Sequence, residues 1–171
     1  MKKKRIDIEV PIHIKKFIEK EYCQHLMPDG TLKCDKRTYL GKLIHFSLQI
    51  DAFPKVGDKP KGPTLKIVYF DERYSAYFPH SKIAEFQSLL SQMFRESMIN
   101  YVRAVHSYSN KSDYTIFIRQ FLQRYEINEA EEVDFQSLRK IYRDYITRIE
   151  KNYQKSFQWN VIKNAIWWRI S

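Results

Sequence analysis

Residues 5–10, RIDIEV, alternate strictly between charged and apolar side chains. Ile6, Ile8 and Val10 fall on one face and Arg5, Asp7 and Glu9 on the other, the two-residue period of a half-buried strand. Pro11 suits the first turn of a helix, where its missing N–H costs nothing. Ile14, Phe17, Ile18 and Tyr22 then recur at helical spacing. PDG at 28–30 predicts a turn, TLKC a short strand, and RTYLGKLIHFSLQI a second helix carrying Leu40, Leu43, Ile44 and Leu48. DAFPKVGDKPKGP, residues 51–63, holds three of the six prolines and two of the four glycines, so it reads as a linker or long loop. Its Lys55, Lys59 and Lys61 are solvated groups in one reading and phosphate contacts in another. TLKIVYF, DER and YSAYF then have the form of a β-hairpin.

The remainder is helical in pattern. After Ser81, a suitable N-cap, a long run without Gly or Pro carries Ile83, Phe86, Leu89, Leu90, Met93, Phe94, Met98, Tyr101, Val105 and Tyr108 on one broad stripe. At roughly 1.5 Å per residue this central helix, 81–108, spans about 40 Å. SNKS ends it, and Ser112 can cap DYTIFIRQFLQRY, whose Ile116, Phe117, Phe121 and Leu122 are expected to pack inward. FQWNVIKNAIWWRIS closes the chain as a helix, although its Trp, Val and Ile leave a strand open. No internal repeat is visible. The pattern predicts an α+β fold: a small N-terminal β-α-β-α unit (1–50), a Pro/Gly/Lys-rich linker (51–63), and a hairpin leading into a mainly helical C-terminal half (64–171).

Composition agrees with that architecture. The chain is 43% hydrophobic and 15% aromatic, ample to bury a core, and its few Gly and Pro argue against a turn-rich sandwich or barrel. Lys and Arg outnumber Asp and Glu by 30 to 20, a net charge of +10 that draws the chain toward polyanions, chiefly nucleic acid or an anionic membrane. The basic start, MKKKRIDIEVP, lacks the apolar core of a secretory signal, and no stretch reaches the 18 apolar residues of a membrane span. With two cysteines, Cys23 and Cys34, there is no disulfide framework. A cytoplasmic protein without membrane contact is the expectation.

Positive charge concentrates in FQSLRKIYRDYITRIEKNYQK, residues 135–155. Projected as a helix, Phe135, Leu138, Ile141, Tyr142, Tyr145, Ile146, Ile149 and Tyr153 share one half of the wheel. Arg139, Lys140, Arg143, Arg148, Lys151 and Lys155 occupy the other, with only Asp144 and Glu150 to compensate them. Bases three and four residues apart can follow a phosphate strand, each contact releasing a counterion. The same pattern is compatible with a merely solvated face. Glu126, Glu129, Glu131, Glu132 and Asp134 immediately precede this helix; they suit its positive N-terminus but would repel phosphates there. Binding is therefore expected along the middle and C-terminal half, with Lys2, Lys3, Lys4 and Arg5 assisting as a mobile arm, and with DNA preferred over RNA.

RIDIEVPIHIKKFIEKEY resembles the strand and first helix of ribbon-helix-helix regulators, in which paired strands from two chains enter the major groove. Asp7 and Glu9 on the outward face, and the long interval before the second helix, depart from that pattern. FLQRYEINEAEEVDFQSLRKIYRDY is similar to the ends of small uncharacterised proteins of prophages and integrative elements of gut anaerobes, a resemblance that identifies no activity.

Enzymatic and metal motifs are missing. No phosphate-cradling glycine loop, HExxH or GxSxG occurs. Cys23, His25, Cys34 and His45 do not match common zinc spacings, and neither cysteine has an orienting acid at a recognisable interval. Asp7 with Glu9, or Asp71 with Glu72, reads more simply as solvent groups than as a Mg²⁺ site. Tyr69, Tyr74 and Tyr77 beside Arg73 could stack bases, or pack against the long helix. Trp159, Trp167 and Trp168 could form an interfacial belt with Lys163 and Arg169, but read more simply as docking the C-terminus on the core, on a second copy or on a protein partner. The expectation is a non-enzymatic, cofactor-free nucleic-acid-binding accessory or regulatory protein. The alternative is an assembly or virion component using its Trp-rich C-terminal segment.

Overall fold

The computed structural model describes residues 2–50, 60–73, 76–109 and 113–167, with side chains through residue 152. In chain order its elements are β1 (Lys2–Glu9), α1 (Ile12–Glu21), β2 (Thr31–Cys34), α2 (Tyr39–Ser47), β3 (Gln49–Ile50), β4 (Thr64–Asp71), β5 (Ala76–Tyr77), α3 (Ile83–Tyr108), α4 (Thr115–Arg124) and α5 (Phe135–Trp167), with 3₁₀ turns at Cys23–His25 and His80–Lys82. The fold is mixed α+β with a helical C-terminal half.

β4 is the central strand of the sheet, antiparallel to β1 and parallel to β2. Its burial follows from that place: Leu65, Ile67 and Tyr69 are buried on the face under the helices, and Val68 lies between Arg5 and Lys33 of its two neighbours, while Lys66 on the outer face is exposed. On one face Ile6 and Ile8 of β1 lie opposite Ile67 and Leu65, with Leu32 of β2 completing the layer under the helices. The parallel β2–β4 pair requires a crossover, and α2 lies on that connection. Thr38 caps α2, its hydroxyl accepting from Gly41 N at 3.0 Å. Gly41 is required there because a Cβ would stand 1.8 Å from the Asp35 carbonyl oxygen. Gly30, at φ +75°, supplies the left-handed residue of the turn before β2.

α3 carries the core. Phe86, Leu90, Phe94, Met98 and Val102 are buried at four-residue intervals. Each such step overshoots a full turn by about 40° at about 100° per residue, so the buried line winds around the helix. Its first half consequently meets the sheet layer, with Gln87 Nε2 donating to Glu9 O at 2.6 Å, and its middle meets α1 and α4. Phe94 packs on Phe17 at 5.4 Å and on Phe121 at 5.6 Å between ring centroids, and His106 near the end faces Phe117 and Tyr142. Residues on both sides of the 51–63 segment therefore share one sheet and one core, so the compositional boundary does not divide the folded unit. Residues 51–59 of that segment, with Lys55 and Lys59, lie outside the described residues.

Four expectations need correction. The predicted hairpin is absent among the described residues: β4 pairs with β1 and β2, while β5 pairs with β3, because the backbone N–H and C=O groups of a central strand need partners on both edges. Ser81 does not cap α3; it lies in the His80–Lys82 turn, and the helix begins at Ile83 without a side-chain cap. Ile116 is 37% exposed and Ile118 is fully buried in its stead. Asp113 accepts from Thr115 N and Oγ, starting α4 at Thr115 and setting Ile116 on the outer side of its first turn; Ser112 is outside the described residues. Tyr108, expected on the inner stripe of α3, is 93% exposed and Met93 only half-buried, because the inner line winds through Leu90, Phe94, Met98 and Val102.

Leu90, with no exposed surface, gives a direct check on this helix. Leu90→Ala is expected to lower the unfolding free energy by about 2–5 kcal/mol in urea denaturation, and Met93→Ala by less. Equal midpoints for Leu90→Ala and the wild type would contradict the buried line.

Candidate nucleic-acid interface

α5 docks through Phe135, Leu138 and Tyr142, all buried, with Ile141, Tyr145 and Ile146 packed at the margin. Tyr142 lies 5.0 Å from Tyr114 and 6.3 Å from His106, ring centre to ring centre, so α5 is held against α3 and the start of α4 by aromatic contacts. Asp134 begins the helix: its carboxylate accepts from Gln136 N at 3.0 Å and Ser137 Oγ at 2.5 Å. Once that inner face is spent, sequence spacing dictates what faces water. Arg139, Lys140, Arg143, Arg148 and Lys151 are all exposed, as are Asp144 and Glu150.

These bases are lightly engaged. Arg139 donates to Gln136 Oε1 at 3.1 Å, Arg143 stands 3.6 Å from Asp144, and the Arg148 guanidinium lies 5.8 Å from the Tyr145 ring centre. Two residues from other helices extend the face. Arg103 of α3 donates to the hydroxyl of Tyr145, the residue whose ring Arg148 approaches, at 3.2 Å. Arg119 of α4 lies 4.7 Å from the Phe135 ring centre, at the same groove as Arg139. Neither was identifiable from the helical wheel of α5, since nothing local marks which side chain a distant helix will bring alongside. Lys155 belongs to the helix, but its side chain is outside those described.

The acidic approach has a different role from the one expected. Glu126 pairs with Lys20 at 2.7 Å, Glu132 with Lys16 at 2.6 Å, and Glu129 with Arg119 through two contacts of 3.0 and 3.2 Å. Lys16 also donates to Glu126 O, and His13 Nδ1 lies 2.8 Å from Glu132 O. These acids tie the loop to α1 and α4, and the lysine partners hold the carboxyls of Glu126 and Glu132 below their ordinary pKa. Their repulsion of an anion on α5 is correspondingly reduced.

Lys2, Lys3, Lys4 and Arg5 are brought to a different element. They form the first half of β1 and pair with β4, so they are not a mobile arm; the β4 edge supplies the hydrogen bonds that order them. Lys4 Nζ donates to the carbonyls of Arg73, at 3.1 Å, and Ala76, and Arg5 pairs with Asp7 at 2.8 Å. Beside them Asp71 is buried, with Arg73 forking to both of its oxygens and His45 Nδ1 3.3 Å away. The Arg73 guanidinium holds the Asp71 carboxyl far below the usual carboxylate range. Tyr69 is buried edge-on to His45, which removes it as a base-stacking platform; strand alternation turns it inward. Tyr74 is outside the described residues.

Cys23 is exposed and Cys34 buried, and burial pushes the Cys34 thiol up to about 12. No group of His, Cys, Asp or Glu among the described residues is arranged to hold a metal ion, and none of the described helices is long and apolar enough to cross a membrane. The C-terminal segment continues α5 as far as Trp167, so that part is helix; the side chains of Trp159 and Trp167, and all of Trp168, lie outside the description. Compared with protein-family models, curated proteins and solved structures, the chain has no match.

Burial lowers the pKa of both His13 and His45. The unfolded chain therefore binds protons that the folded chain excludes. The stability is whole above the ordinary histidine pKa of about 6.5 and is lost as pH falls from there toward the folded values. Urea midpoints are expected to be lower at pH 5.5 than at pH 7.5, with a smaller difference in a His13→Gln, His45→Gln double variant. A midpoint that rises on acidification would contradict the assignment.

Proposed function

We propose that this chain is a non-enzymatic DNA-binding accessory or regulatory protein that lays the solvent face of α5 along the phosphate backbone of a duplex. One observation carries the reading: Arg139, Lys140, Arg143, Arg148 and Lys151 all project to solvent from one docked helix, against only Asp144 and Glu150. Arg103 and Arg148, which both contact Tyr145, add to it, and the pairing of Glu126, Glu129 and Glu132 with Lys20, Arg119 and Lys16 supports it by offsetting acidic charge near the start of α5. The start of α5 is occupied by Asp134, so contact falls on the middle and following turns. Such contact gives affinity and register with little sequence preference. β1 contributes no flexible arm in this reading, because its lysines belong to the sheet.

A quadruple variant, Arg139→Gln, Arg143→Gln, Arg148→Gln and Lys151→Gln, is expected to fold as the wild type does and to bind duplex DNA more weakly, whatever its sequence. The slope of log affinity against log salt should fall by roughly 0.9 for each phosphate contact removed. Adding Arg103→Gln should lower it further. Wild-type protein with no affinity for duplex DNA at low salt, or a quadruple variant that binds equally well, would overturn the proposal.

A further inference from the structure

Among the described residues, the face of the sheet turned away from the helices exposes four bases around an aromatic side chain, with Asp7 and Glu9 toward its Thr64 end. Strand register places Lys3 opposite Phe70, Arg5 opposite Val68, and Val68 beside Lys33. Lys3, Arg5, Lys33 and Lys66 are exposed, so no described element covers them, while Phe70 is half-buried. The Lys33 ammonium lies 5.7 Å from the Phe70 ring centre, near the outer limit of a cation–π contact, and its four-carbon stem lets it swing aside. The carboxylates near this face each hold at least one partner. Asp7 receives Arg5, Glu9 receives the Lys61 amide at 3.0 Å, and Asp29 receives both the amide and hydroxyl of Thr31.

We infer that this face binds single-stranded DNA, one base stacking on Phe70 and the flanking phosphates meeting Lys3 and Lys33. An aromatic ring between cations on an open surface suits a polyanion whose every unit has a π-face. A duplex keeps those faces stacked and cannot offer them. Stacking on Phe70 and phosphate contacts with Lys3 and Lys33 use no ribose 2′-hydroxyl, the group that distinguishes RNA, so DNA is the occupant that needs nothing further. The site is separate from α5 and does not depend on the duplex reading.

The test uses the full chain and fluorescein-labelled dT12 in anisotropy titrations at low salt. Phe70→Leu keeps an apolar side chain of similar volume and removes the π-face. It is expected to weaken dT12 binding roughly 5- to 100-fold, with an unchanged melting temperature and unchanged duplex affinity. A Lys3→Gln, Lys33→Gln variant should reduce the single-strand salt slope by roughly 0.7 per contact. The quadruple α5 variant should bind dT12 as the wild type does, which separates failure at this site from failure at α5. Wild-type protein without affinity for dT12, folded Phe70→Leu that retains full affinity, or loss of dT12 binding only in the α5 variant would each overturn the inference. A more than tenfold preference for rU12 over dT12 would overturn the choice of DNA.

Discussion

Four rings hold the two halves of this molecule together: Phe17 of α1, Phe94 of α3, Phe121 of α4, and Tyr125 just beyond α4. Their centroids are 4.8 to 6.4 Å apart, mostly in edge-to-face arrangements. Such pairs contribute about 0.5–1.5 kcal/mol each beyond the area they bury. Only Val10 and Pro11 separate β1 from α1, so fixing Phe17 fixes the sheet relative to α3 and α4. The Tyr125 hydroxyl donates to Glu21 at the end of α1, and burial with that contact pushes its pKa up to about 12. The chain leaves α4 through Glu126 at φ +57°, a conformation uncommon outside glycine, and Lys16 and Lys20 of α1 hold that residue by its carbonyl and its carboxylate.

The placement of charge follows from this aromatic contact. Because α1 lies against the end of α4, its lysines meet the acidic loop and pair with Glu126 at the surface and with the half-buried Glu132. The bases of α5 have no comparable set of acids, since their helix turns its apolar half to α3 and α4. The net charge of +10 is divided unevenly: Glu126, Glu129 and Glu132 pair across elements, while bases outnumber acids on the α5 face and on the outer face of the sheet. The two surfaces differ in kind. One is a helix with spaced guanidinium and ammonium groups; the other is a flat strand layer with Phe70 among lysines.

Local periodicity made much of this legible. Alternation in RIDIEV marked β1 and its inner residues, and the apolar stripes marked α1, α2, α3 and the inner half of α5. The solvent face of α5 was readable for the same reason, because a helix with one docked side has little choice about the other. Strand pairing was not readable. DER between two β-like runs suggested a local turn, whereas β4 takes partners from β1 and β2, a choice made by long-range burial of Leu65, Ile67 and Val68. The ion pairs of Lys16 and Lys20 span more than one hundred residues of sequence, and Arg103 reaches α5 from another helix. Contacts of that separation leave no trace in spacing. The aromatic on the sheet surface was missed by one position: Tyr69 was considered for stacking, yet parity turns it inward and leaves Phe70 outside.

The account turns on the α5 face, and arginine side-chain NMR reads it most directly. In Nε–Hε correlation spectra of ¹⁵N-labelled protein titrated with a short duplex at low salt, Arg139, Arg143 and Arg148 should shift together and return as salt is raised. Arg73, tied to Asp71 at the end of β4, should stay in place. If the α5 arginines do not move while duplex binds, or if shifts are confined to Arg5 and Arg73, the α5 face is only solvated surface and the account is wrong.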